Sequence, residues 1–139
     1  MTEETEYSES FKILLADDTP MNLTLATKLL TRRGHQVNTS VNGLEAFELF
    51  QKEPFDLILM DVQMPVMGGV EATQKIREYE KTNTPGKRMP IIALTANDSE
   101  SDREEYLRSG MDGVITKPLN IKTIVQEIKD IIKAMPGNS

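Results

Sequence analysis

The chain contains no cysteine and only one histidine, His35. Disulfides and thiolate metal sites are thereby excluded, although the compartment is not fixed. Positive charge is in deficit: 16 lysines and arginines stand against 22 acidic residues, a net charge of −6. A global attraction to nucleic acid or to anionic membrane is not expected from such a chain. No apolar run reaches the length of a membrane span. The opening MTEETEYSES is acidic and polar, the opposite of a secretory leader. Cytosolic residence, with no direct membrane contact, is the simplest expectation.

What is present suits one domain. The chain has 139 residues, 38% of them apolar and 27% charged, an ordinary balance for a globular protein. A domain of this size buries roughly two-thirds of its unfolded surface. Residues 1–10 carry Glu3, Glu4, Glu6 and Glu9 and almost nothing apolar to hold them down, so they read as a disordered acidic tail. The compact domain is expected over 11–134, with a C-terminal tail over 135–139.

Inside that domain, short apolar runs alternate with helical patterns. KILLA at 12–16 reads as a buried strand ending in Asp17 and Asp18. Thr19 followed by Pro20 marks a helix start. That helix is expected to reach about Arg33, with Leu23, Ala26, Leu29 and Leu30 inward and Gly34 as terminator. HQVNTSV suggests a second strand. Leu44, Phe47 and Phe50 then share a helical face. FDLILM is a third strand, and GVEATQKIREYE a third helix with Val70, Ala72, Thr73 and Ile76 inward. KTNTPGKRM reads as a mobile basic loop. PIIALT is a fourth strand. SESDREEYLRSG is a polar helix whose large apolar candidates are Tyr106 and Leu107. GVIT is a fifth strand. Ile121, Ile124, Val125, Ile128, Ile131 and Ile132 stripe a last helix capped by Asn120.

Apolar strands alternating with amphipathic helices imply an α/β fold, a parallel sheet covered on both faces. In such sheets chemistry gathers beyond the carboxyl ends of the strands. Those ends carry Asp17, Asp18, Asp61, Thr95 and Lys117. Like carboxylates ~4 Å apart repel by about 4 kcal/mol at an effective dielectric near 20. A divalent cation relieves this. Hard oxygen donors without histidine or thiol favour Mg²⁺, which keeps several waters and accepts a phosphate oxygen. A phosphoryl group on Asp61 would give Thr95 and Lys117 an acceptor.

These residues carry a resemblance. ADD at 16–18, LMDVQMPVMGG at 59–69, ALTA at 93–96 and GMDGVITKP at 110–118 are, together, similar to the response-regulator receiver domains of two-component signalling. The wording of the second block is most similar to receivers of hybrid histidine kinases. The resemblance implies a doubly wound, flavodoxin-like, five-stranded parallel sheet in the order 2-1-3-4-5 with five helices. It implies Asp61 as phosphoacceptor. It implies Mg²⁺ held by Asp18, Asp61 and the backbone carbonyl of Gln63, with Asp17 acting through water. It assigns the switch hydroxyl to Thr95, a phosphoryl contact to Lys117, and a cis bond between Lys117 and Pro118. The implied partner is a histidine kinase or a histidine-phosphotransfer domain, and slow autodephosphorylation follows. The resemblance also allows the segment to be cut from a larger hybrid kinase, as the cytoplasmic part of a membrane-bound protein.

Two positions depart from the family pattern. Val114 stands where well-studied receivers carry Tyr or Phe, and Gly68 where an Asp is frequent. Without the aromatic, weak coupling is expected between the site and the face of the fourth helix and fifth strand. The domain is then chiefly an acceptor or relay. The other signals have plain readings: His35 at the surface, Met60, Met64 and Met67 as core and loop filling, and Lys81, Lys87 and Arg88 as solvated charges. A phosphatase of the haloacid-dehalogenase type would need a second Asp where Gln63 stands. A flavodoxin would need a Ser- and Gly-rich phosphate loop where ADDTPMN places two negative charges. A pseudo-receiver would lack site residues that are all present.

Overall fold

The computed structural model describes residues 10–96, 99–120 and 122–135. Strands β1 (Lys12–Ala16), β2 (Gln36–Ser40), β3 (Leu57–Asp61), β4 (Ile91–Thr95) and β5 (Gly113–Thr116) form one sheet in the order β2-β1-β3-β4-β5. All four pairings are parallel. Helices α1 (Pro20–Arg32), α2 (Gly43–Lys52), α3 (Gly69–Asn83), α4 (Glu100–Arg108) and α5 (Ile124–Ala134) connect or follow the strands. The expected order and number of elements are those observed.

Strand residues alternate between two cores, which is why the strands are apolar throughout. Leu14, Ala16, Ile58, Met60, Ile91 and Ala93 face one side, with Ala46 of α2, Ala72 and Ile76 of α3, and Tyr106 of α4. Ile13, Leu15, Leu57, Leu59, Ile92 and Leu94 face the other, with Ala26 and Leu30 of α1 and Ile124 and Ile128 of α5. Each large aliphatic side chain so buried contributes about 1.5–3 kcal/mol.

Several local expectations are corrected. α2 does not present Leu44 inward; Leu44 is exposed and Ala46 takes the buried position. Gly43 explains the rotation. A Cβ there would collide with the Met67 carbonyl oxygen, so the helix start lies directly against the loop after β3. Phe47 and Phe50 instead close edge-on to Tyr79 of α3, at centroid distances of 6.3 and 5.5 Å. The expected loop at 81–89 is shorter, because α3 continues through Asn83. Arg88 is not a free solvated charge: its Nε lies 2.8 Å from Asp112 Oδ1.

α5 begins at Ile124 with Thr123 as N-cap, not at Asn120. Asn120 forms a preceding turn instead. Its carbonyl accepts from the Ile124 N–H at 2.8 Å and its Oδ1 from the Lys122 N–H at 2.8 Å. Ile121 lies outside the described residues. In α4, Leu107 is exposed and Tyr106 alone is buried.

His35 is the clearest reversal: it is 4% exposed. Its ring stacks on Phe11 at 5.3 Å, and its Nδ1 accepts the Phe11 N–H at 3.0 Å. Gly34 ends α1 at φ 91°, as its position suggested, and this turn directs the next residue inward. Of the expected tails, only Ser10 and Met135 are described; the Ser10 hydroxyl donates to the Gly34 carbonyl and Met135 is buried.

Candidate functional site

The parallel register brings the strand ends level. Ala16 pairs with Met60, Asp61 with Leu94, and Thr95 with Thr116. One residue further, Asp17 stands beside Asp61, and Lys117 follows Thr116. Backbone bonds extend this order past the strands. The Val62 N–H donates to the Leu94 carbonyl at 3.2 Å and the Lys117 N–H to the Thr95 carbonyl at 2.8 Å.

Lys117 is the hinge of the cluster. Its Nζ lies 3.0 Å from Asp61 Oδ2 and 3.4 Å from Asp17 Oδ2. The Lys117–Pro118 bond is cis. Asp61 Oδ1 accepts from the Gln63 N–H at 3.3 Å, and Asp17 Oδ1 from the Thr19 N–H at 2.9 Å. Asp17 and Asp61 are buried, whereas Asp18 is exposed. One carboxylate oxygen from each of the three lies within 4.8 Å of the others.

This arrangement perturbs both partners of the central ion pair. Burial raises the Asp61 carboxyl above its ordinary range, and the neighbouring Asp17 adds to the rise. The hydrogen bond and charge of Lys117, and the Gln63 N–H, oppose it without cancelling it. Burial works against the Lys117 ammonium as well. Asp61 and Asp17 outweigh that and hold Lys117 above the usual lysine value. Among the described residues the site is a cluster of three carboxylates with the cation Lys117, open on one side.

The opening is a cleft of about 510 Å³ bounded by Asp18, Asp61, Met64, Thr95, Tyr106 and Lys117. Gly69, the first residue of α3, lies against the backbone of Asp61. A Cβ at Gly69 would strike the Asp61 carbonyl oxygen, so only glycine lets α3 start this close to the acidic strand end. The chain therefore returns close to the end of β3, Leu57–Asp61, as it enters α3. Gly68, where an Asp is frequent, is the N-cap of α3 and makes no side-chain cap.

The structure thus brings together Asp17, Asp18, Asp61, Thr95 and Lys117, with Gln63 beside them. Sequence reasoning missed Tyr106 as a wall of this cleft. The available signal was slight: a lone aromatic in an otherwise polar helix.

The donor set fits a hard divalent cation. Among the described residues it offers three carboxylates, each with an oxygen within 4.8 Å of the others, all of them hard donors. Among the described residues no helix is long and apolar enough to cross a membrane.

Comparison with known proteins agrees with this geometry. Residues 13–129 match the family model of the response regulator receiver domain. The chain is 41% identical over 126 residues to the sensor histidine kinase GacS of Pseudomonas protegens, covering 91% of this chain and 14% of that kinase. It spans only 7 to 15% of the first curated relatives it matches. Among solved structures, one is the receiver domain of a sensor histidine kinase from Pseudomonas aeruginosa, with a magnesium ion coordinated in its active site cleft. It matches at TM-score 0.78 and 34% identity over 91% of this chain and 100% of that one. Another is the Saccharomyces cerevisiae complex of the histidine phosphotransfer protein Ypd1 with the receiver domain of the response regulator Ssk1. It matches at TM-score 0.81 and 29% identity, covering 92% and 94% of the two chains. With more than half its length in one family model, and with sheet order and strand-end chemistry in agreement, this chain belongs to the response regulator receiver domain family.

Proposed function

We propose that Asp61 is the phosphoacceptor of this receiver domain and that a phosphohistidine on a histidine kinase or histidine-phosphotransfer domain is the donor. The observation that carries this is the placement of Lys117 Nζ 3.0 Å from Asp61 Oδ2, within a cluster of three carboxylates at a cleft mouth. An isolated strand-end aspartate would need neither the cation nor the acidic neighbours.

In the reaction, an Asp61 carboxylate oxygen attacks phosphorus in line with the imidazole nitrogen. A P–O bond forms, the P–N bond breaks, and the imidazole keeps the electron pair. The Gln63 N–H on Oδ1 fixes the carboxylate plane, so one oxygen is presented to the cleft. Lys117 transfers its contact to a phosphoryl oxygen, and the Thr95 hydroxyl donates to another. Asp18, Asp61 and the Gln63 carbonyl would hold Mg²⁺, with Asp17 acting through water. When bound, that ion neutralises the carboxylates and the developing phosphoryl charge. Slow hydrolysis returns Asp61 to its resting state.

The relatives suggest the setting, a receiver that serves a kinase or relay in the cytoplasm, as part of a hybrid kinase or in company with one. The test is intact mass after acetyl phosphate with Mg²⁺. One phosphoryl mass should appear on the wild type and none on Asp61→Asn, and EDTA should prevent it. An equal adduct on Asp61→Asn would assign the chemistry elsewhere.

A further inference from the structure

Tyr106 is the single buried residue of α4, and it is also a wall of the cleft that holds Asp61, Thr95 and Lys117. Glu100, Asp102, Arg103, Glu104, Glu105 and Arg108 offer the sheet nothing apolar, and Leu107 is 47% exposed. The tyrosine ring is therefore what seats α4. It belongs to the same core cluster as Val114 of β5, Ala93 of β4 and Met60 of β3. Small side chains at 93 and 114 leave the volume on that side to be filled from the helix. The base of the ring is held as well. The Tyr106 carbonyl accepts from the Met111 N–H at 3.2 Å and from the Ser109 hydroxyl at 2.6 Å, fixing it to the turn that enters β5.

Resting on the phosphoacceptor reading of Asp61, we propose that Tyr106 is a positioning residue of that site: its ring walls the cleft on the α4 side, slows hydrolysis of the aspartyl phosphate, and makes α4 respond to the state of Asp61. Hydrolysis needs a water oxygen to attack phosphorus opposite the Asp61 oxygen. The P–O bond to Asp61 then breaks, inorganic phosphate leaves, and the water proton passes to phosphate or solvent. A ring bounding the cleft reduces the space from which that water approaches. A phosphoryl group brings roughly −1.5 to −2 charges and three acceptor oxygens into the same cleft. Any displacement of the ring moves the only buried anchor of α4. Val114 has no ring to contribute, so an aromatic route from the site to this face runs through the helix and not through β5.

The experiment compares wild type with Tyr106→Ala, Tyr106→Leu and Tyr106→Phe. Asp61 is labelled with acetyl phosphate and Mg²⁺, and the donor is removed. Loss of the phosphoryl mass is followed, and amide shifts are recorded with and without beryllofluoride. Tyr106→Ala and Tyr106→Leu should shorten the phosphoryl lifetime by about fivefold. They should also abolish the beryllofluoride-induced shifts over residues 100–108 while keeping those at 61–64. Tyr106→Phe should retain both properties, since the ring carries them. Tyr106→Leu preserves apolar filling, so the comparison survives if the alanine variant unfolds. Wild-type lifetime and an intact α4 response in Tyr106→Leu would overturn the proposal, and so would a Tyr106→Phe variant as impaired as Tyr106→Leu. Absence of any label on the wild type would instead remove the phosphoacceptor reading on which it rests.

Discussion

Arg77 and Asp112 meet at the amino-terminal edge of the sheet, Nη2 to Oδ2, at 2.8 Å. The contact joins α3 to the turn that enters β5, opposite the end that carries Asp61. Asp112 is the hub: Oδ2 also accepts from the Ile91 N–H at 2.9 Å, and Oδ1 pairs with Arg88. Its side chain is 5% exposed. Arg77 further donates to the Gly110 and Met89 carbonyls and pairs with Glu80. Asp112→Ala should destabilise the domain by about 2 kcal/mol, because the Ile91 N–H loses its acceptor and Arg77 and Arg88 lose a shared carboxylate, although Arg77 keeps Glu80 and two carbonyls. Urea unfolding measures this. A loss below about 1 kcal/mol would show that the pair is no more than an exposed one.

His35 makes stability depend on pH. Burial first, then the charges of Lys129 and Arg33, hold its pKa below the ordinary 6.5. The neutral ring is also required by the Phe11 N–H, which donates to Nδ1. Between the folded and unfolded pKa values the unfolded chain binds the extra proton. The His35 contribution is therefore complete above about pH 6.5 and is lost as pH falls through the folded value. Stability should drop on going from about pH 7.5 to about pH 5.5, and His35→Leu should flatten that slope. Parallel pH profiles for variant and wild type would contradict the assignment.

Val66 stores strain beside the site. Its φ is 69°, and the Met67 N–H donates across it to the Pro65 carbonyl at 2.7 Å. A β-branched residue is poorly suited to such a tight turn. Strain of this kind costs about 1–3 kcal/mol, whereas the added chain entropy of glycine costs about 0.5–1 kcal/mol. Relief wins, so Val66→Gly should stabilise the domain by about 1 kcal/mol. A lower urea midpoint in that variant would refute the account.

Met21 is 78% exposed at the start of α1. Beside it, Leu25, Ala26, Pro118 and Leu119 line an apolar groove next to the cleft. A small apolar patch with a polar rim suits transient docking of a helical phosphodonor. Met21→Glu should slow transfer from such a donor and leave labelling by acetyl phosphate unchanged. If both reactions fall together, Met21 serves the site or the fold and not the docking surface.

The sequence by itself determined the layers and the site's composition. KILLA, FDLILM and PIIALT are short, largely apolar runs bounded by turn signals, and they read as buried strands between amphipathic helices. That alternation carries Asp17, Asp18, Asp61, Thr95 and Lys117 to strand ends by chain order alone. The pattern could not decide what depends on contacts between distant segments. Which turn of α2 faces inward was set by the approach of Gly43 to the loop after β3, against the face suggested by Leu44. His35 looked like a surface residue because its partner, Phe11, precedes it by a whole helix. Arg88 looked solvated because Asp112 meets it only across the folded sheet. Tyr106 entered the cleft because α4 has no other apolar anchor and lies where Val114 leaves space. Hydrophobic period and strand order are local properties that each segment writes for itself. Helix rotation, ion pairing and the walls of a cleft are set by packing between segments, and packing is decided only when the chain closes on itself.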